Sequence, residues 1–310
     1  MNKEQWTIED IPSLSGKTIV VTGGNSGLGF QAVRAYAAKE AQVIMACRNV
    51  SKGEEAKTAI CREFPKASII VMQLDLMQLN SVRKFAGAFK QNFNRLDILL
   101  NNAGIMMPPY QLTADGIESQ QGTNHFGHFA LTGLLLEVLK QTPGSRVVNV
   151  SSIAHKQGVM NFDNLLYENG KGYTPLAAYS RSKLENLLFT FELQRYFYAY
   201  KYNTMAVVAH PGVSDTNLFS QIGGKTLQTI FKPILKLFTQ PASMGALPAL
   251  RASVDPDAKP GDFFGPDGFA GMRGYPIVVQ PSKAAQNSED ARRLWKISEE
   301  ITGVKFESIL

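Results

Sequence analysis

The chain has 310 residues, 44% of them hydrophobic and 19% charged, with two cysteines and a formal charge of +6. At about 150 residues per domain this length admits two domains or one large α/β domain, and the apolar fraction excludes a disordered chain. Two cysteines exclude a disulfide framework and fit a reducing compartment. Basic residues are scattered without a run of like charge, which excludes a nucleic-acid-binding arm.

The opening 17 residues mix both charge signs and lack an apolar core, so they read as neither a signal nor a transit peptide. No stretch approaches the ~18 uninterrupted apolar residues of a membrane span. The expectation is a cytoplasmic protein.

The first predicted strand is Thr18–Val21, and it runs into Thr22-Gly-Gly-Asn-Ser-Gly-Leu-Gly29 ahead of a helical pattern at Phe30, Val33 and Ala37. Glycines at 23, 27 and 29 permit a tight turn and a close backbone approach to a pyrophosphate, and the helix start offers unpaired N–H groups to the anion. Gly23, Asn25, Ser26, Gly27, Leu28 and Gly29 are therefore candidate cofactor contacts. Their spacing, Gly-x-x-x-Gly-x-Gly, departs from the common Gly-x-Gly-x-x-Gly fingerprint.

The second strand, Val43–Ala46, ends in Cys47-Arg-Asn49. NAD-binding chains place an acidic residue here, roughly 20 residues past the glycines, to hold the ribose 2′-hydroxyl. An arginine instead pairs with a 2′-phosphate, so Arg48 favours NADP(H), with Asn49 beside it. Taken by itself, an arginine at a strand end is commonplace. Cys47 reads as a small buried side chain, not as a redox group.

Next come strand Ser68–Leu74, ending in Asp75-Leu76 at the expected adenine edge, a helix with Val82, Phe85 and Phe89 on one face, and strand Asp97–Leu100. The following Asn101-Asn-Ala-Gly104 has small residues that let the chain pass near the cofactor, which nominates Asn102, Ala103 and Gly104. His125 and His128 lie three apart on a helix. With no carboxylate or third ligand at hand they read as packing groups, and no metal site is expected.

Strand Val147–Val150 leads to Ser152, and the insertion Asn161–Tyr173 reads as a loop near the substrate mouth or a surface excursion. Tyr179 and Lys183 then form Tyr-x-x-x-Lys, which places both side chains on one helical face. The pair means little in isolation and gains weight from its position after the fifth strand. A phenol of pKa ~10 is a poor acid at neutral pH. A neighbouring ammonium and an oxidised nicotinamide favour the phenolate, while Ser152 can hydrogen-bond a carbonyl oxygen as charge develops on it. Lys183 is also expected to hold the cofactor ribose.

A sixth strand, Thr204–Ala209, precedes His210-Pro-Gly-Val-x-x-Thr216. Leu227, Ile230, Phe231, Ile234, Leu235 and Phe238 follow at helical spacing, interrupted by Pro233. The segment reads as a lid over an apolar substrate or as a basic amphipathic membrane contact. Pro256–Pro276, rich in Pro, Gly and aromatics, reads as the closing edge of the same domain.

All six strands are nearly continuous apolar runs separated by helical patterns, as expected of parallel strands buried on both faces. The fold class expected is α/β, a Rossmann-type doubly wound parallel sheet in a single domain over residues 1–310. A substrate lid at about 213–245 and a C-terminal edge at 246–310 complete it.

Thr22–Gly29, Asn101–Gly104, Ser152, Tyr179–Lys183 and His210–Thr216, in that order, resemble the short-chain dehydrogenase/reductase superfamily over about two thirds of the chain. The resemblance implies that Tyr179 is the acid/base, Lys183 its tuner and Ser152 the carbonyl stabiliser. It further implies that Asn124 supports a water-linked proton relay. Pro211, Gly212, Val213 and Thr216 would hold the carboxamide end of the nicotinamide. Met45–Asn49, Thr123–Phe129 and Leu294-Trp-Lys-Ile-Ser-Glu are similar to retinol dehydrogenases. Some of this pattern is shared by protochlorophyllide reductases, though no cysteine follows Gly104. The expected activity interconverts a hydrophobic aldehyde or ketone and its alcohol with NADP(H). A non-catalytic NADP(H) sensor is the alternative from another class, one that does not require Ser152, Tyr179 and Lys183 to be intact. A homo-oligomer and a peripheral membrane contact both remain open from sequence.

Overall fold

The computed structural model describes residues 5–213 and 240–306. Eight strands form one sheet in the order β3-β2-β1-β4-β5-β6-β7-β8. They are β1 (Thr18–Thr22), β2 (Gln42–Cys47), β3 (Ser68–Gln73), β4 (Ile98–Asn101), β5 (Ser145–Val150), β6 (Thr204–Ala209), β7 (Phe263–Pro266) and β8 (Pro276–Val278). Neighbouring strands from β3 to β7 all pair in parallel, and β8 runs antiparallel to β7. The expected doubly wound sheet is therefore present, and the six expected strands match β1–β6 to within a residue or two at their ends.

Period-two alternation divides each inner strand between two cores. Ile19, Val21, Val43, Met45, Ile98, Leu100, Val148, Val150, Val207 and Ala209 face one layer. Val20, Ile44, Ala46, Leu99, Val147 and Ala206 face the other. Each fully buried aliphatic side chain contributes about 1.5–3 kcal/mol, so a one-residue slip of any inner strand would scramble both layers at once. The expectation of burial on both faces fails at β3. It is the sheet edge, with Ser68, Ile70 and Gln73 exposed, because no strand or helix covers its outer side among the described residues.

Helices α1 (Gly27–Ala38) and α2 (Val50–Glu63), with α6 (Ala242–Val254), cover the first layer. On the opposite face lie α3 (Leu79–Asn92), α4 (Gly127–Gln141), α5 (Pro175–Ala199) and α7 (Ser288–Thr302). The Pro256–Pro276 stretch closes the sheet through the β7–β8 hairpin, whose short Pro-led outer strand gives little edge to pair with. Most of the expected lid, 214–239, and with it the Leu227–Phe238 segment and Thr216, lies outside the described residues. No described helix is long and apolar enough to cross a membrane.

Candidate active site

The Thr22–Gly29 turn sits where β1 ends, and it is wired to both neighbouring strands. Gly23 N donates to Ala46 O on β2 at 2.8 Å. The Thr22 hydroxyl accepts from the backbone N–H of Asn102 and of Ala103, each at 2.9 Å, and Asn102 Nδ2 donates back to Thr22 O at 2.8 Å. Gly23 and Gly27 adopt φ of +66° and +53°, where a side chain is strained. At Gly29 the constraint is space: a Cβ would lie 2.3 Å from Gly23 O and 2.6 Å from Asn102 Nδ2. Ser26 is the N-cap of α1 yet makes no side-chain capping bond. The first N–H groups of this 12-residue helix thus stand beside a backbone that has been stripped of side chains. That donor set fits the pyrophosphate of a dinucleotide.

At the end of β2, Arg48 is exposed and has no hydrogen-bond or ion-pair partner among the described residues. Asn49 caps α2 by accepting from Lys52 N at 3.0 Å. Leu74 N donates to Cys47 O at 2.9 Å, which joins the ends of β3 and β2. Asp75 turns its carboxylate onto its own loop, accepting from Met77 N and Gln78 Nε2, and the Leu76 side chain is buried in the core. Cys47 is buried with its thiol donating to Asn49 O, a packing role.

The catalytic candidates converge at the ends of β4 and β5. Tyr179 and Ser152 line the same cavity, and the Ser152 hydroxyl is near enough to act on the phenol's pKa. Lys183 Nζ lies 5.8 Å from the Tyr179 ring centre and donates to Val150 O at 3.0 Å, and Asn186 Nδ2 donates to the same carbonyl. A Cβ at Gly104 would come within 3.1 Å of Asn124 Oδ1 and 3.4 Å of Lys183 Nζ, so this glycine makes room for the cluster. Asn124 sits in a π-helical turn (Gly122–Phe126) that runs without a break into α4, the kind of distortion that recurs at functional sites. Its amide closes on Ile105 in both directions, accepting from Ile105 N at 2.9 Å and donating to Ile105 O at 3.1 Å.

Electrostatics here differ from the sequence expectation. Burial pushes the Tyr179 phenol up to about 12, opposed by the Ser152 hydroxyl. Burial also brings the Lys183 ammonium down to about 8. Within the protein alone desolvation dominates at both groups, so lowering the phenol requires further positive charge in the site.

These groups stand at the end of a cavity of about 280 Å³. Leu28, Asn102, Gly104, Pro211, Gly212 and Val213 line it on the cofactor side. Ile105, Met106, Met107, Ile153, Ala154 and Leu176 supply apolar walls. Gly23 and Asn25–Gly27 belong to the adjoining turn, while Arg48, Asn49 and Asp75 lie farther along the strand ends.

A family model for short chain dehydrogenase matches residues 17–226. Human retinol dehydrogenase 12 is 39% identical over 296 residues, covering 95% of this chain and 89% of that protein. Human retinol dehydrogenase 13 is 38% identical over 300 residues, with 96% and 88% covered. The chain is a retinol-dehydrogenase-like member of the short-chain dehydrogenase family. Among solved structures, a protein from Mycobacterium paratuberculosis is 41% identical, with a TM-score of 0.82 over 98% of this chain and 100% of that one. A short chain dehydrogenase from Shigella flexneri, complexed with NADP, shares the fold with a TM-score of 0.62 at 21% identity over 82% of this chain and 98% of that one.

Family membership makes this dehydrogenase an oxidoreductase that uses a nicotinamide dinucleotide. Two of its three retinol-dehydrogenase-like segments, Thr123–Phe129 and Leu294–Glu299, prove to be partners in packing. Ser298 of α7 meets His125 Nε2 at 2.8 Å, and Trp295 packs edge-on against Phe129 at 5.2 Å. His128 bridges Thr22 Oγ1 and Asn124 O at 2.9 and 3.0 Å. Burial drives both histidines far below their ordinary pKa, to about 3 and about 4, so they work as neutral hydrogen-bonding groups.

The 161–173 insertion is an organised part of the dehydrogenase, not a loose excursion. Two 3₁₀ turns (Phe162–Asn164 and Glu168–Gly170) flank a buried Tyr167. Arg181 stacks on that ring at 4.2 Å and donates to the carbonyls of Val159, Asn164 and Leu165. Sequence reasoning missed the Ile105–Met107 wall, although an apolar run directly after Asn101–Gly104 was a readable signal. It also missed Asn186, one helical turn beyond Lys183.

Proposed function

We propose that this dehydrogenase interconverts a hydrophobic aldehyde or ketone with its alcohol, using NADP(H). The observation that carries the reading is the grouping of Ser152, Tyr179 and Lys183 at the polar end of an otherwise apolar cavity, with Lys183 Nζ 5.8 Å from the Tyr179 ring centre. The bare α1 N-terminus and the glycine cradle would hold the dinucleotide phosphates, and Arg48, without a partner among the described residues, is suited to the extra phosphate that distinguishes NADP. When bound, such a cofactor supplies the hydride.

The chain's own part is to bind the carbonyl and move one proton. Ser152 donates to the carbonyl oxygen and fixes it at Tyr179. As negative charge grows on that oxygen, the Tyr179 hydroxyl transfers its proton to it, and alcohol oxidation runs the same transfer backwards. Lys183, charged at neutral pH even with its lowered pKa, stabilises the phenolate left behind. The apolar walls exclude water and accept an uncharged, lipophilic substrate. Retinol dehydrogenases are the relatives at 39% and 38% identity, which agrees with a lipophilic alcohol or aldehyde.

The test is NADPH oxidation by purified protein against retinal, steroid ketones and simple aldehydes, with Tyr179→Phe alongside. Turnover by the parent and a loss of at least about 100-fold in the variant are expected, from the usual size of acid–base catalysis. Near-normal turnover by Tyr179→Phe would remove the assigned mechanism. Tight NADPH binding without oxidation by any carbonyl would replace the enzyme by a sensor.

A further inference from the structure

The Ile105–Met107 wall of the cavity is followed by two prolines and held from outside by side chains. Besides the paired bonds between Asn124 and Ile105, Met107 N donates to Gln120 Oε1 at 2.8 Å. Gln120 Nε2 donates to Tyr173 Oη and to Pro175 O, each at 3.0 Å. The Tyr173 hydroxyl in turn donates to Pro108 O at 2.7 Å. The directions in this chain are fixed. An N–H of Met107 needs an acceptor and the carbonyl of Pro175 needs a donor, so only one orientation of the Gln120 amide serves both. Gln120 is fully buried and uses all the hydrogen-bonding capacity it can present there.

Two further features show that this strut has a position to enforce. Met107 lies at φ +54°, a left-handed conformation that a non-glycine residue keeps only when its surroundings hold it. Tyr173 is wedged edge-on between Tyr110 and Tyr167, at 5.3 and 5.5 Å between ring centres, so its hydroxyl cannot swing away. The same glutamine also grips Pro175, the first residue of α5, just before Leu176 on another wall of the cavity.

We infer that Gln120 and Tyr173 are specificity-determining positioning residues, which set the distance between the Met107 wall and the start of α5 and so the width of the substrate cavity. The 161–173 insertion then acts on substrate choice through one hydroxyl, without touching the substrate. This rests on the carbonyl-reductase reading of the cavity for its functional half, while its structural half stands on the hydrogen bonds alone.

The experiment compares the parent with Tyr173→Phe, which keeps the ring and removes the hydroxyl, and with Gln120→Met, which keeps length and burial. Amide hydrogen exchange over residues 105–110 and NADPH-dependent kinetics on straight-chain aldehydes of rising length are both measured. Exchange at Met107 should accelerate by about 2- to 12-fold or more in Gln120→Met, the worth of one hydrogen bond, and less in Tyr173→Phe. The KM of the longest aldehydes should change by a similar factor while kcat for the shortest stays the same. Unchanged exchange in Gln120→Met overturns the strut, and a uniform change across all aldehyde lengths overturns its role in specificity. If the parent oxidises NADPH with none of the aldehydes, the proposed function fails, and the exchange result still decides the strut.

Discussion

Replacing Gly29 by alanine adds one methyl group at the tightest point of the phosphate turn. That methyl would stand 2.3 Å from Gly23 O and 2.9 Å from Gly23 C, against ordinary contacts of 3.4–4 Å. The obstacle is backbone, so α1 must move by about 1 Å relative to the turn, and overpacking of this kind costs about 1–3 kcal/mol. A chain of 310 residues unfolds with an entropy near 0.65 kcal/mol/K by the usual per-residue scaling, so Tm should fall by about 2–5 °C. Gly87→Ala is the matched control. It lies inside α3 with nothing within 4 Å of the added methyl, so alanine should stabilise the helix by about 0.5–1 kcal/mol. The pair therefore predicts Tm shifts of opposite sign. Cofactor affinity, measured by NADPH fluorescence titration, should weaken at least about 10-fold in Gly29→Ala and stay constant in Gly87→Ala. A Gly29→Ala protein with parental affinity would refute the idea that this turn must approach a phosphate group closely.

Arg48→Ala should leave Tm unchanged, since the side chain is exposed and unpartnered among the described residues. It should weaken NADPH about 10- to 100-fold with little change for NADH, and equal losses for both would remove the 2′-phosphate assignment. Glu185 is fully buried with neither carboxylate oxygen hydrogen-bonded among the described residues, and burial raises its pKa from 4.5 to about 8. Its folded pKa exceeds the unfolded one, so wild-type stability falls as pH rises from about 4.5 to 8. Glu185→Gln should gain up to about 3 kcal/mol relative to wild type by pH 7, readable in urea titrations at both ends of that window. Lys183 is shifted from 10.5 to about 8, so the unfolded chain binds the extra proton between these values and folding stability rises with pH across them. Lys183→Met should abolish that rise, and an identical pH slope in the variant would contradict the burial of the ammonium.

Five of the six expected parallel strands were readable because a strand buried on both faces needs a continuous apolar run; β3, at the sheet edge, carries such a run only in its centre. The site was readable for a related reason. Its turn, Arg48 and Ser152 follow strand ends directly, where a doubly wound sheet gathers its ligands, and the Tyr179–Lys183 pair was marked by its four-residue spacing in the helix after β5. β7 and β8 escaped because Phe263–Pro266 and Pro276–Val278 are too short to show a period and are embedded among glycines and prolines. Gln120 and Tyr173 escaped for another reason. Their work depends on partners 13 and 65 residues away, Met107 and Pro108, whose proximity is a product of the fold. The turn of the Asp75 carboxylate was not legible, because a strand-end position does not say which way a short side chain points. A loop offering its own N–H groups two residues on is the nearer partner.

α5 shows how one helix makes both the reactive site and its frame. Every residue from Ala178 to Thr190 is buried, so the helix has no solvent face onto which polar groups might be discarded. Each must then be satisfied or carry a cost. Tyr179, Lys183 and Asn186, at i, i+4 and i+7, turn toward the end of β5, where Ser152 and the Val150 carbonyl receive them. Ser182 accepts from Asn124 on this side, at 2.9 Å, and so ties the π-turn to the same face. Arg181 leaves the helix in another direction and spends its donors on three carbonyls of the chain before and within the insertion. Glu185 follows it at i+4 but accepts no hydrogen bond among the described residues, and the attraction of Arg181 is outweighed by its burial. The two sets therefore fail differently. Loss of a group on the first should change proton transfer while the fold survives. Loss of Arg181 should loosen the 161–173 loop, because the carbonyls of Val159, Asn164 and Leu165 would each lose a charged donor, and among the described residues only Leu165 keeps a second side-chain donor, Gln121 Nε2 at 2.6 Å.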